Sequence, residues 1–285
     1  MKIAIIGSNG QLGSDLVQVL SADHEVAPLT HHDIEITDID SVQKAITQLQ
    51  PDFILNTAAY HNVPQCEKEP DLAFRINGTG VLNLAKVCKS SGTRLVHYST
   101  DYVFDGKKAA PYSEKDLPNP LSVYGTTKLA GEYYALNYCP QSFVVRVSGI
   151  YGKVPSRLKG GNFITTMIKL AQEKPEVKVV DDEITAPTPT HEIAKATAEL
   201  IKTDAYGLYH MSCDGECSWY EFAKVIWETL GLKTPLYPAK VSDFPSVVER
   251  PAYSVMDNTQ LTQTGVNKIA NWKECLVDFL KQNHL

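Results

Sequence analysis

Short apolar runs alternate with longer amphipathic ones, a glycine turn follows the first run, and the rhythm changes beyond Tyr151. Together these predict an α/β protein: a doubly wound parallel sheet with a smaller C-terminal domain. The 285-residue length suits one large domain with a satellite. Ile3 to Ile6 reads as the first strand because it is apolar throughout, as a strand covered on both faces must be, and Gln11 to Leu20 follows as a helix. Glu25 to Leu29 and Ser41 to Leu49 repeat the unit, with Ser41, just after an aspartate, predicted as the helix N-cap. Phe53 to Asn56 is the third strand, and Leu72 to Ser90 is predicted as one helix stopped at Gly92. Leu95 to Tyr98 is the fourth strand, closing on Ser99-Thr100-Asp101.

Past Tyr151, Pro155 and Gly160-Gly161 punctuate a loop, and Phe163 to Ala171 and Ile193 to Ile201 read as helices. The run from Gly231 to Pro251 holds four prolines and little periodicity. The larger domain is placed over residues 1–150 and the smaller over 151–285, with a helix near 190–203 returning to the sheet.

Composition narrows the function. A formal net charge of −6 argues against a surface built to neutralise nucleic-acid phosphates. The apolar run in MKIAIIGSNG is too short for a signal peptide or a membrane span, and no later run is long enough. Six cysteines without paired spacing read as reduced thiols, so a cytoplasmic protein is expected. No metal site is expected: the histidines lack a His-x-x-x-His pair, Cys213 and Cys217 have no second pair, and Asp181-Asp182-Glu183 reads as a solvated loop acid run.

Gly7-Ser-Asn9-Gly10-Gln11-Leu12-Gly13 follows the first strand and opens the first helix. Glycines there allow a tight turn and close approach to a pyrophosphate, which meets free N–H groups at the helix N-terminus. The pattern points to a Rossmann-type dinucleotide site. An acid binding the adenosine ribose should close the second strand near Leu29 and Thr30, and neither position is acidic. Thr30-His31-His32 tolerates a 2′-phosphate, so NADPH is favoured, with NADH also accommodated through Asp33 or Glu35. Small residues in Asn56-Thr57-Ala58-Ala59-Tyr60 would let a cofactor lie close, or simply pack strand against helix.

Tyr124 and Lys128 lie four apart on one predicted helix, after the strand-end Thr100. An ammonium there would lower the phenol pKa from its usual ~10, letting Tyr124 exchange a proton with a carbonyl oxygen while nicotinamide carries hydride. Thr100 would hydrogen-bond the same oxygen. A second pair, Tyr220 and Lys224, sits among Trp219, Phe222, Ala223 and Ile226, an apolar stripe that reads as scaffold.

GSNGQLG at Gly7, PDFILNTAAY at Pro51, HYSTDYVFDG at His97, YGTTKLAGE at Tyr124, GGNFITTMIKLA at Gly160 and ERPAYSVMDN at Glu249 span nearly the whole chain. In these motifs it resembles the dTDP-4-dehydrorhamnose reductases, extended short-chain dehydrogenases with a Rossmann domain and a small nucleotide-sugar domain. The resemblance implies reduction of the 4-keto group of a dTDP-linked 6-deoxy sugar by NADPH or NADH in a monomer or homodimer. By the same resemblance Tyr124 is the proton donor, with Lys128 and Thr100. Gly7, Asn9, Gly10, Gln11, Leu12, Glu35, Ile36, Ala58, Ala59, Tyr60, Asn77 and Tyr98 would meet the cofactor, with Tyr124 and Lys128. Thr100, Asp101, Tyr102, Gly149, Asn162 and Arg250 would face the substrate.

Two departures bear on the sugar. Gly149 stands where the family usually has Trp, and His61-Asn62-Val63-Pro64 replaces a more usual Thr-x-Val-Asp. A wider sugar pocket is expected unless another side chain enters it, with His61 the neighbour suspected of doing so. Competing readings are a reductase or epimerase for another nucleotide sugar, and a non-catalytic regulatory subunit of the same fold.

Overall fold

The computed structural model describes residues 1–155, 160–244, 248–266 and 268–283. Its strands are β1 (Lys2–Ile6), β2 (Glu25–Leu29), β3 (Phe53–Asn56), β4 (Arg94–Thr100), β5 (Ser142–Val147), β6 (Val177–Val180), β7 (Ile184–Thr185), β8 (Gly207–Met211), β9 (Cys217–Ser218) and β10 (Leu236–Ala239). The helices of the first half are α1 (Gln11–Leu20), α2 (Ile39–Leu49), α3 (Val63–Lys68), α4 (Pro70–Phe74), α5 (Gly80–Ser91) and α6 (Val123–Tyr138). Those of the second are α7 (Phe163–Glu173), α8 (Thr190–Leu200), α9 (Trp219–Leu230), α10 (Thr259–Gln263) and α11 (Trp272–Gln282).

Six strands form one parallel sheet in the order β2-β1-β3-β4-β5-β8. Side chains alternate across it: Ile3 and Ile5 join the core shared with α1, α8 and α9, whereas Ala4 and Ile6 join the core under α2 and α5. Both faces of the central strands are therefore covered, which is why β1 and β3 are apolar almost throughout. The sixth strand comes from residues 207–211, so chain beyond the returning helix also enters the sheet. Two small sheets lie outside it, β6 with β10 and β7 with β9.

The second helix starts earlier than expected. Asp38, not Ser41, is the N-cap: its carboxylate accepts from the Asp40 amide at 3.0 Å, and the Ser41 hydroxyl instead accepts from the Glu35 amide. The helix predicted over Leu72 to Ser90 is broken into α4, a π-helical turn at Arg75–Thr79 and α5, with Gly92 ending it at φ +75°. The wide turn carries Asn77 inward, where it binds the loop after β3.

Candidate active site

The chain leaves β1 toward β2 and returns on the opposite side as β3, and at such a reversal the carboxyl ends of the strands border a crevice. Here it opens into a groove of about 1420 Å³. That exceeds the roughly 300–1,000 Å³ of a single-ligand pocket.

At one end Gly7 has φ +77°, and a Cβ there would lie 2.6 Å from the Thr57 hydroxyl. A Cβ on Gly13 would come within 2.2 Å of the Gly7 carbonyl, so the turn packs onto its helix with no room for a methyl. Gly10 caps α1 without any side-chain bond, which leaves the first amides of the helix unspent. Gln11 donates to the Ile150 carbonyl at 3.0 Å, while its buried Oε1 has no hydrogen-bond partner among the described residues. Asn9, Leu12, Ala58 and Ala59 complete this wall. Uncapped amides and a turn closed to side chains fit a dinucleotide pyrophosphate, while the orphaned Gln11 oxygen is placed to accept from a donor such as a ribose hydroxyl or the nicotinamide amide.

Beyond the end of β2, His31, Glu35 and Ile36 border the groove and Asp33 does not. Asp33 is folded back onto Thr30, accepting from its amide and hydroxyl at 2.8 Å each, and these bonds hold its carboxyl below the usual range. Glu35 accepts from the Thr37 amide and hydroxyl. Both acids are thus engaged within their own loop.

The polar cluster lies where β4 meets α6. Ser122 caps α6, accepting from the Gly125 amide, and the helix then brings Tyr124 and Lys128 to the groove. Lys128 is buried and donates to the Tyr98 carbonyl at 2.6 Å. Burial pulls its ammonium down to about 8, against the nearby Glu132 charge. Burial likewise pushes the Tyr124 phenol up, opposed by the Thr100 hydroxyl. The direction expected for Tyr124 is therefore reversed, because burial of the phenol outweighs the lowering by the Thr100 hydroxyl. The Tyr102 ring meets Tyr124 edge-on at 5.8 Å.

Thr100 is also committed: its hydroxyl donates to Asp101 at 3.0 Å and accepts from the Tyr102 amide. Asp101 further accepts from Ser148 at 2.8 Å and Ser254 at 2.7 Å, so its carboxylate is buried within a hydroxyl network at the edge of the groove that it lines. Asn162 borders the groove, yet its amide caps α7 and donates to the Gly152 carbonyl. Tyr60 lies in the wall with its hydroxyl donated to Glu69, and the Tyr98 phenol is turned away to Thr197. Asn77 is a correction: fully buried, it holds the Tyr60 backbone and Thr127 and does not reach the groove. The other expected residues, Arg250 included, border this one groove, whereas Tyr220 and Lys224 do not.

The family model described as the RmlD substrate binding domain matches residues 1–285. The chain belongs to this family. It is 39% identical to the spore coat polysaccharide biosynthesis protein SpsK of Bacillus subtilis, over 99% of this chain and 97% of that one. A dTDP-4-dehydrorhamnose reductase structure from Clostridium acetobutylicum superposes with TM-score 0.96 at 38% identity, covering both chains completely. Another, from Bacillus anthracis in complex with NADP, gives 0.94 at 37%, covering 99% of each.

In this RmlD-family chain the space at Gly149 is not open. A Cβ there would lie 3.3 Å from Cη2 of Trp219 and 3.1 Å from Cα of Pro187. The indole of Trp219, expected to be scaffold, stacks on Phe163 at 4.7 Å and borders the groove. It fills the place suspected for His61, whose ring contacts the Ala59 carbonyl. Gly149→Trp should therefore disrupt rather than tighten the site. At φ +52° a side chain costs about 1–2 kcal/mol, and the new ring would have to displace Trp219. Thermal melting and kcat/KM should both fall; a variant as stable as wild type and more selective among sugars would contradict this.

The acid run is the other surprise. Asp181 accepts from Ser218 and Asp182 from the Val241 amide, while Glu183 is 7% exposed in the groove wall. Nothing in its local sequence distinguishes it from a solvated loop acid.

Proposed function

We infer that the protein is an NADPH-dependent reductase that converts the 4-keto group of dTDP-4-dehydrorhamnose to the hydroxyl of dTDP-L-rhamnose. One observation carries this: Thr100, Tyr124 and Lys128 meet in a groove whose other end is shaped for a dinucleotide. NADPH, when bound, supplies the hydride to the carbonyl carbon. Tyr124 gives its proton to the carbonyl oxygen. Lys128, charged below about 8, would favour the tyrosinate left behind through its positive charge on the same helix. Thr100 orients the Tyr124 hydroxyl, and donates to the substrate only by turning from Asp101. Residues 1–150 act as the dinucleotide-binding domain and residues 151–285 supply most of the nucleotide-sugar wall, with Asn162 and Arg250 toward the nucleotide-sugar. The protein works in the cytoplasm as a monomer or homodimer; no described helix is long and apolar enough to cross a membrane.

The test is NADPH consumption by the purified protein with a panel of dTDP-, UDP- and GDP-linked 4-keto sugars. Turnover with dTDP-4-dehydrorhamnose above the others supports the reading. No consumption with any, or cofactor retained through purification and sugar epimerised, overturns it. NADPH should be used at least as well as NADH in kcat/KM, since Asp33 is held by Thr30 and His31 borders the groove. Thr30→Asp should shift the ratio toward NADH by adding a carboxylate and releasing Asp33. A strong NADH preference in wild type would show that Glu35 captures the ribose.

A further inference from the structure

Glu183 stands between β6 and β7, and the strand that follows it fixes its place. The Ile184 amide donates to the Ala252 carbonyl at 2.8 Å and the Ser254 amide to the Ile184 carbonyl at 2.9 Å, which lays Glu183 alongside the segment carrying Arg250. Two residues on, the Thr185 hydroxyl lies 2.7 Å from that of Ser148, which donates to Asp101. Glu183 therefore shares a wall with the Thr100–Asp101 corner. More than nine-tenths of its surface is buried, and what remains borders the groove. Among the described residues no donor reaches its carboxylate and no cation lies within 4 Å. Burial pushes its carboxyl above the usual range, Arg250 offsets part of that from farther off, and Asp182 adds to it. A carboxylate with no donor from the protein around it and its open side on the groove is placed to accept from the hydroxyls of a ligand.

We propose that Glu183 reads the sugar: its carboxylate accepts hydrogen bonds from the vicinal C2 and C3 hydroxyls, on the ring edge leading to the keto carbon, so the site selects hexoses with a free diol there. This deepens the reductase reading and rests on it. A 4-keto-6-deoxyhexose offers hydroxyls at C2 and C3, and two vicinal donors match the two oxygens of one carboxylate. Charge-assisted bonds of this kind contribute about ten- to hundredfold in affinity. A deoxy or acylated sugar leaves the buried acid unpaired, which discriminates more sharply than lost apolar contact does.

The experiment is calorimetric titration of the NADP-loaded protein with dTDP-L-rhamnose and with dTDP, for wild type, Glu183→Gln and Glu183→Ala, each checked for wild-type melting. Both variants should bind dTDP-L-rhamnose about tenfold or more weakly and dTDP as wild type does, with KM for the keto sugar rising more than kcat falls. Equal weakening for both ligands would place the carboxylate at the nucleotide and overturn the proposal. Unchanged binding of both would overturn it too. If wild type binds dTDP-L-rhamnose but never consumes NADPH with the keto sugar, the reductase reading fails while the binding comparison still decides the role of Glu183. If wild type does not bind dTDP-L-rhamnose, both fail.

Discussion

Tyr124→Phe should lower kcat by about 100-fold or more while leaving the fold and NADPH binding near wild type. The substitution removes one hydroxyl and keeps the ring, so its edge contact with Tyr102 survives. The lost hydroxyl is the one beside Thr100, on the helix that also positions Lys128. Lys128 sharpens the expectation through pH: its charge is present below about 8 and lost above, so wild-type turnover should decline as pH rises through that value. Tyr220→Phe is the control, since Tyr220 lies outside the groove and should leave the chemical step untouched. Single-turnover rates and NADPH titrations for both variants decide the matter. Comparable losses in two folded variants would remove Tyr124 from the role assigned to it.

The second large effect concerns stability. Glu132, one turn beyond Lys128 on α6, accepts from Arg146 at 2.6 and 2.9 Å and from Ser99 at 2.5 Å, with both charged residues 2% exposed. Arg146 also lies over the Phe104 ring. Glu132→Ala leaves a guanidinium buried without its counter-charge, a loss of about 3–5 kcal/mol. For a chain of this size the melting temperature should drop by roughly 10 °C. Replacing both partners by Glu132→Leu with Arg146→Met should recover most of the loss, because the cost lies in the stranded charge rather than in the missing attraction. A single variant melting within about 2 °C of wild type, against the several degrees expected, would mean that water reaches Arg146.

The same ion pair explains part of what the sequence conceals. The first strands stand out because nothing charged interrupts them, but β5 contains Arg146 and β8 contains His210, so neither shows a clean apolar run. Each polar group is paired only in three dimensions, Arg146 with Glu132 and His210 with the Asp257 carbonyl. The glycine turn and the Tyr124–Lys128 spacing are local and legible, since one turn or one helix sets them. Trp219 and Glu183 are not: one looks like the first member of a buried stripe, the other like a surface acid. Crossings of distant segments, Gly149 with residue 219 and Ile184 with residues 252 to 254, put them in the groove. The Thr100 hydroxyl is similar, its engagement by Asp101 depending on Ser148 and Ser254.

The late sixth strand has a consequence for synthesis. β5 is buried along its whole length, and its outer neighbour β8 pairs with it from Phe143–Gly207 to Val147–Met211. A nascent chain that has left the ribosome only as far as residue 150 therefore presents an uncovered, mostly apolar edge, the kind that recruits other strands. It must wait for some sixty further residues, including the helix that covers the same face, before that edge closes. Chains released near residue 150 are thus expected to aggregate, even though every residue of the glycine turn and of the Thr100, Tyr124 and Lys128 cluster has by then been made.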